Sequence, residues 1–90
     1  MGFRAFVMRV LKQVAFDRVE QRLAAALLDL ARDTVVTATQ SELAARIGSA
    51  RAVVSRRLDA FAREGLTANE RGHVRLLQPY ILRQRAAPDL

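Results

Sequence analysis

The chain of 90 residues has no cysteine and no tryptophan, and it has one histidine, two prolines and four glycines. Without cysteine it can form no disulfide, thiolate zinc site or iron–sulfur cluster, and His73 alone cannot assemble a metal site. The sequence also shows no nucleophile paired with a general base and no phosphate-binding loop. We therefore expect no metal, no other cofactor and no enzymatic activity. The length suits one domain with a modest core.

Long apolar runs are also missing. No stretch approaches the roughly 18 consecutive apolar residues that a membrane span requires. Near the N-terminus, Arg9 and Lys12 interrupt what would be the apolar part of a signal peptide. The sequence thus predicts a cytoplasmic protein that does not act in a membrane.

Positive charge is what the chain has in excess. Fifteen basic residues, all but one of them arginine, stand against nine acidic ones, for a net charge of +6. Nine of the arginines and four of the acids lie between residues 40 and 85, so this part carries +5 of the total. Such a balance in a small domain favours an anionic partner, although a solvated charged face is the simpler alternative.

An apolar stripe marks the first sixteen residues. Its spacing predicts a helix that pairs with another copy of the chain, so we expect a homodimer. The stripe consists of Phe3, Phe6, Val7, Val10, Leu11 and Val14.

Asp17 and Glu20 have capping-box spacing, which predicts a break and a second helix from about 18 to 32. One continuous helix from 3 to 32 is the alternative.

Two short helices with a tight turn between them are indicated over residues 39–65. Thr39 and Glu42 form another capping box, and Gly48 ends the first helix as a left-handed residue. We expect Ser49 to cap the second helix, which runs from about 50 to 64 and stops at Gly65. This is the form of a helix-turn-helix DNA reader.

Strand signals flank these helices. Residues 35–37 are β-branched and fit a brief edge strand, and residues 66–77 fit a β-hairpin that turns at 70–73. Pro79 suits the start of a C-terminal helix. The sequence therefore predicts a mainly α fold with a small β-hairpin: a winged helix-turn-helix over residues 17–85, preceded by an N-terminal helix and followed by a flexible tail at 86–90.

The second helix of the motif has separate inner and outer faces. With Val54 turned inward, Leu58 and Phe61 share its side, and Ala52, Arg56, Asp59 and Arg63 lie opposite. An outward arginine can donate two hydrogen bonds to O6 and N7 of guanine. We expect Arg51, Ser55 and Arg56 to contact bases. An ion pair between Arg56 and Asp59 is the simpler alternative.

Other residues are candidates for the DNA backbone, where contacts position the protein without reading sequence. They are Thr39, Gln40 and Ser41 at a helix start, Ser49 in the turn, Arg63 at a helix end, and Arg71 and Arg75 in the hairpin. Thr39 is more securely assigned to capping, and Arg63 can instead be a solvated residue near its helix C-terminus. Arg57 lies beside the inner face and favours pairing or packing along its aliphatic stem.

Several segments together are similar to the DNA-binding domain of the Crp/Fnr family of bacterial transcription regulators, over roughly residues 18 to 85. The matching runs are Arg22-Leu23-Ala24, Leu27-Leu28, Leu30-Ala31, Thr39-Gln40-Ser41-Glu42-Leu43-Ala44, Gly48, Arg51, Val54-Ser55-Arg56, Leu58 and Arg63-Glu64-Gly65-Leu66. The resemblance implies a winged helix that reads half of a palindromic operator, with Arg51, Ser55 and Arg56 among the readers. It also makes RNA polymerase a candidate partner and the bacterial cytoplasm the expected location.

Two departures from the family pattern stand out. Many members carry a glutamate at the position of Ala52. That glutamate can accept a hydrogen bond from the amino group of cytosine, so with alanine there we expect a different operator. Members are about twice as long and have a sensor barrel and a long dimerisation helix, of which residues 1–16 resemble the end.

We therefore expect a sequence-specific regulator domain that binds double-stranded DNA without catalysis. A winged-helix module that binds another protein is the alternative.

Overall fold

The computed structural model describes residues 16–87, and these form four helices and one three-stranded sheet. In chain order the elements are α1 (Arg18–Leu30), β1 (Val35–Thr37), α2 (Gln40–Ile47), α3 (Arg51–Arg63), β2 (Thr67–Glu70), β3 (His73–Leu76) and α4 (Pro79–Ala86). This order confirms the predicted winged helix-turn-helix. The predicted dimerisation stripe of Phe3, Phe6, Val7, Val10, Leu11 and Val14 lies outside the described residues, as do residues 88–90 of the predicted tail.

Helix α1 begins with the predicted capping box. The Asp17 carboxylate accepts from the Glu20 amide at 2.7 Å, and the Asp17 amide donates to the Glu20 carboxylate at 2.9 Å. Asp17 itself is extended, with φ −74° and ψ 175°. A single helix over residues 3–32 is therefore excluded, because the chain is not helical where that helix would have to pass.

The chain reverses sharply after α1, which ends at Leu30 rather than at 32 as predicted. Arg32 and Val35 exchange two backbone hydrogen bonds of 2.9 and 3.0 Å across Asp33 and Thr34. Both intervening residues are left-handed, with φ of 53° and 64°. A left-handed backbone brings Cβ close to the carbonyl oxygen, and a β-branched residue such as Thr34 is rare there.

The sheet is antiparallel and larger than the predicted hairpin. Its strand order is β1-β3-β2, so the predicted edge strand β1 pairs with the second arm of the hairpin. In this register Val36 lies opposite Val74, and both side chains are buried. The pairing of β1 with β3 was not predicted, because the two strands lie far apart along the chain, beyond the reach of local spacing.

The core lies between the sheet and the helices, and α1 and α4 pack against each other. The buried apolar residues are Leu23, Ala24, Ala26, Leu27, Val36, Leu43, Ala44, Ile47, Val54, Leu58, Phe61, Leu66, Val74, Leu76 and Leu82. Phe16 stacks on Phe61 with ring centroids 4.9 Å apart. This contact joins the start of the described chain directly to α3.

Thr34→Gly is expected to stabilise the protein, because glycine adopts the left-handed backbone without steric cost. The relief of about 1–2 kcal/mol of left-handed strain is partly offset by the roughly 0.5–1 kcal/mol that glycine costs through its extra freedom in the unfolded chain. The free energy of unfolding should therefore rise by about 0.5–1 kcal/mol, or about 2–8 °C in the midpoint of thermal unfolding for a domain of this size.

Thr37→Gly is the matched control. Thr37 is an exposed threonine in β1, where glycine should lower stability by roughly 0.5–1 kcal/mol. Equal losses for the two variants in urea and thermal unfolding would contradict strain at Thr34.

Candidate nucleic-acid interface

The start of α2 is organised by Thr39 and Glu42. The Thr39 hydroxyl accepts from the Glu42 amide at 3.0 Å, and the Thr39 amide donates to the Glu42 carboxylate at 2.8 Å. The hydrogen bond from the Thr39 amide, with a further contribution from the Thr39 side chain, lowers the pKa of the Glu42 carboxyl below its ordinary value. Thr39 therefore has the capping role predicted for it, and the two residues fix where α2 begins.

The turn between α2 and α3 follows a left-handed glycine, as predicted. Gly48 has φ 67°, and the Ser49 amide donates to the Ala44 carbonyl at 2.9 Å. The prediction that Ser49 caps α3 is wrong. Ala50 occupies the cap position without a side-chain hydrogen bond, because α3 begins at Arg51, one residue later than expected.

Arg22 holds this turn from the neighbouring helix, which the sequence analysis did not foresee. Its Nη2 donates to the carbonyl of Ile47, the last residue of α2. A Cβ atom at Gly48 would lie 3.3 Å from the same nitrogen. Gly48 is thus favoured twice, by its backbone angle and by the guanidinium beside it. The interaction joins α1 to the end of α2, 25 residues along the chain.

Helix α3 presents the faces that its apolar spacing predicted. Val54, Leu58 and Phe61 are buried at 0%, 1% and 0% exposure. The predicted outward residues are Ala52, Arg56, Asp59 and Arg63, and all four are exposed. Arg51 is exposed at the N-terminal end, and Ser55 is half-buried at the margin. The rotation of α3 about its axis therefore leaves one polar face open to solvent.

Four ion pairs form among residues 16–87, and they divide the arginines into two groups. The pairs are Arg46–Asp29, Arg57–Asp17, Arg75–Glu70 and Arg85–Glu64. Arg57 pairs as predicted, with its Nη2 3.1 Å from Asp17 Oδ2.

Four arginines that were predicted to contact DNA, two at the bases and two at the backbone, are absent from these pairs. Within the described part of the chain, Arg51, Arg56, Arg63 and Arg71 contact no carboxylate, and the alternative pair of Arg56 with Asp59 does not form. Arg75, predicted as a phosphate contact, lies 3.7 Å from Glu70 on the exposed side of the sheet. Because both groups are more than half exposed, this pair contributes little and leaves Arg75 accessible.

A cleft of about 330 Å³ collects several of the predicted backbone contacts. Thr39, Gln40 and Ser41 enter it from the start of α2, Arg51 from the start of α3, and Arg71 from the turn of the hairpin. Glu70 and Asn69 complete its polar lining. Two guanidinium groups that have no ion-pair partner among residues 16–87 and a helix N-terminus thus surround one concave site, an arrangement that favours an anion.

A second depression adjoins the first on the exposed face of α3. Gln40, Arg51, Ala52 and Ser55 line it, and Arg56 is one helical turn after Ala52 on the same face. Three other predicted residues, Ser49, Arg63 and Arg75, line neither recess. The structure therefore concentrates the candidates near the N-terminal halves of α2 and α3 and the tip of the hairpin.

Asn69 ties the hairpin to α3, and the sequence analysis missed it. Its side-chain amide donates to the Leu58 carbonyl at 2.9 Å, and its oxygen accepts from the Thr67 hydroxyl at 2.9 Å. Thr67 is 2% exposed, so this hydroxyl depends on a protein partner. Asparagine in a strand is otherwise unfavourable, and that exception is the signal that could have identified the residue.

Together these elements define a winged helix-turn-helix: two helices joined by a tight turn, with a basic outer face and a hairpin wing attached to the second helix. Residues 21–85 match the family described as the Crp-like helix-turn-helix domain. The match extends over more than half of the chain. The chain therefore belongs to this family, whose helix-turn-helix supports a DNA-binding role in transcription regulation.

Similar proteins are transcription regulators of Thermus thermophilus. Transcriptional regulator SdrP is 36% identical over 78 residues, which cover 77% of this chain and 39% of that protein. The crystal structure of a CRP/FNR-family regulator from the same organism has 34% identity and a TM-score of 0.72, covering 91% of this chain and 47% of the other. The present chain thus spans less than half the length of these relatives.

A catabolite activator protein structure from Thermus thermophilus has the same degree of structural similarity, with a TM-score of 0.72 at 31% identity. The match covers 92% of this chain and 39% of that one.

No helix among residues 16–87 is long and apolar enough to cross a bilayer. The same residues contain no cluster of three or more histidine, aspartate or glutamate side chains suited to a metal.

Asn69→Ala should lower the free energy of unfolding by about 1–3 kcal/mol, because it leaves the buried Thr67 hydroxyl without its acceptor. Urea unfolding of the single variants and of the double variant with Thr67→Val measures the effect. Once Thr67→Val has removed the hydroxyl, Asn69→Ala should cost less. Strictly additive losses would contradict the coupling.

Proposed function

We propose that this domain binds double-stranded DNA sequence-specifically, with α3 in the major groove and the β2–β3 hairpin on the backbone. The observation that carries the proposal is the cleft where Arg51 and Arg71, neither of which pairs with a described carboxylate, meet the N-terminus of α2. In helix-turn-helix proteins the N-terminal part of the second helix faces the bases. Arg51 and Arg56 are the guanine readers in this proposal, and Ser55 contacts a base edge between them.

The backbone contacts follow from the same orientation. Phosphates on one side of the groove meet Thr39, Gln40 and Ser41, where backbone amides at a helix start and a hydroxyl are available. Arg71 and Arg75 meet phosphates from the hairpin, Ser49 from the turn, and Arg63 from the far end of α3. These contacts supply affinity and register, whereas the exposed face of α3 supplies sequence discrimination.

The first experiment is selection of bound sequences from a pool of random duplexes, followed by titration of a labelled duplex at increasing salt. Sequence-specific DNA binding requires one enriched motif and a dissociation constant that rises steeply with salt. If no duplex binds even at low salt, the proposal is wrong and a protein-binding winged helix takes its place.

The two classes of arginine should respond differently. Arg56→Ala is expected to weaken the selected site by roughly 5- to 150-fold, the scale of one bidentate guanine contact, with little change on random DNA. Arg71→Ala should weaken all sequences alike and reduce the salt slope by about one.

Arg46→Ala is the charge-matched control, because Arg46 pairs with Asp29 beside a separate groove between α1 and α2. It removes the same positive charge and should leave the preference for the selected site unchanged. Equal losses on selected and random DNA for Arg56→Ala would rule out its base contact.

We further propose that two copies bind a palindromic operator through the apolar stripe of residues 3–14, which places two recognition helices about 34 Å apart. Val10→Lys should then shift the sedimenting mass toward the monomer at micromolar concentration. Ala5→Lys, on the other side of the predicted helix, should not. A monomeric mass for the unmodified chain, free and on DNA, would overturn this assembly.

A further inference from the structure

The depression on the exposed face of α3 has one apolar residue among polar ones. Its volume is about 310 Å³, and its lining consists of Gln40, Arg51, Ala52 and Ser55. Ala52 is exposed, and it lines the depression together with the guanidinium-bearing Arg51 and the hydroxyl-bearing Ser55. An exposed helix position tolerates many side chains, and here it holds one that can neither donate nor accept a hydrogen bond.

We propose that Ala52 contacts the 5-methyl group of a thymine in the operator and thereby selects thymine at that position. The methyl group of thymine is the one apolar group that the base pairs display in the major groove, and alanine is among the side chains that contact it. Cytosine, adenine and guanine show polar groups at their edges, and Ala52 offers them no partner. The inference rests on the proposed placement of α3 in the major groove.

The spacing along α3 also predicts where this thymine lies. Ala52 and Arg56 are four residues apart, which separates them by about 6 Å along the helix axis. Successive base pairs are about 3.4 Å apart. The thymine should therefore lie within about two base pairs of the guanine that Arg56 reads.

The test removes that methyl group and nothing else. In the selected site, each thymine is replaced in turn by deoxyuridine, and the dissociation constant is measured by fluorescence anisotropy. One position in each half-site should lose about fourfold in affinity, the scale for burying a single methyl group. At that position 5-methylcytosine should bind better than cytosine.

Ala52→Gly assigns the effect to this residue. In that variant the ratio of the dissociation constants for uracil and thymine should fall to about one. Glycine weakens a helix, but the ratio compares two duplexes on the same protein, so a loss of stability does not change it. Ala45→Gly in α2 is the matched control, since Ala45 is exposed and outside both recesses. It should keep the fourfold ratio.

The outcomes separate the two proposals. If every thymine tolerates uracil, or if Ala52→Gly keeps the fourfold ratio while Arg56→Ala still loses the selected site, the thymine contact is wrong and specific DNA binding stands. If replacing an adenine of the selected site lowers the affinity while uracil has no effect, the depression binds adenine through Gln40 instead. If no duplex sequence is selected at all, specific DNA binding fails and the thymine contact fails with it.

Discussion

The burial of one side of α3 is the constraint on which the rest of the interface depends. Val54, Leu58 and Phe61 are almost completely inaccessible to solvent, and each contributes roughly 1.5–3 kcal/mol of hydrophobic stabilisation. Rotating α3 about its axis would expose all three. The direction of the opposite face is therefore set by the core, so the orientation of Arg56 and Ala52 depends on apolar packing rather than on their own contacts.

Polar contacts then fix what hydrophobic packing leaves free. Burial is non-directional and does not determine how the turn after α2 sits against α1 or how the hairpin sits on α3. Arg22 supplies the first of these constraints through the Ile47 carbonyl, and Asn69 supplies the second through the Leu58 carbonyl. Both residues use a backbone acceptor, whose position is already determined by a helix. The turn and the wing are thereby placed relative to the same exposed face.

Local chemistry explains which features were predictable. The boundaries at Asp17, Thr39 and Gly48 were correct because each depends on residues within one turn of helix, where spacing carries the information. The cap predicted at Ser49 was wrong by one position, which is the ordinary uncertainty of a helix end.

Features that depend on distant pairs could not be read from spacing. The pairing of β1 with β3 joins residues about 40 positions apart, and Arg22 and Asn69 act on partners 25 and 11 residues away. The amphipathic period of α3 succeeded for the opposite reason: it records burial in every turn, so the face of α3 followed from the sequence even though the partners in the core did not.

The positions of the carboxylates define the basic face more sharply than the number of arginines does. The excess charge between residues 40 and 85 looks uniform along the chain, but Asp17, Asp29, Glu64 and Glu70 pair with four of the nine arginines there. Three of these pairs lie away from the cleft and the depression, whose lining includes Arg51 and Arg71. Arginines that pair internally have less positive potential to offer a polyanion. The described acids thus concentrate the available charge at the start of α3 and the tip of the hairpin, where the proposed contacts with DNA are made.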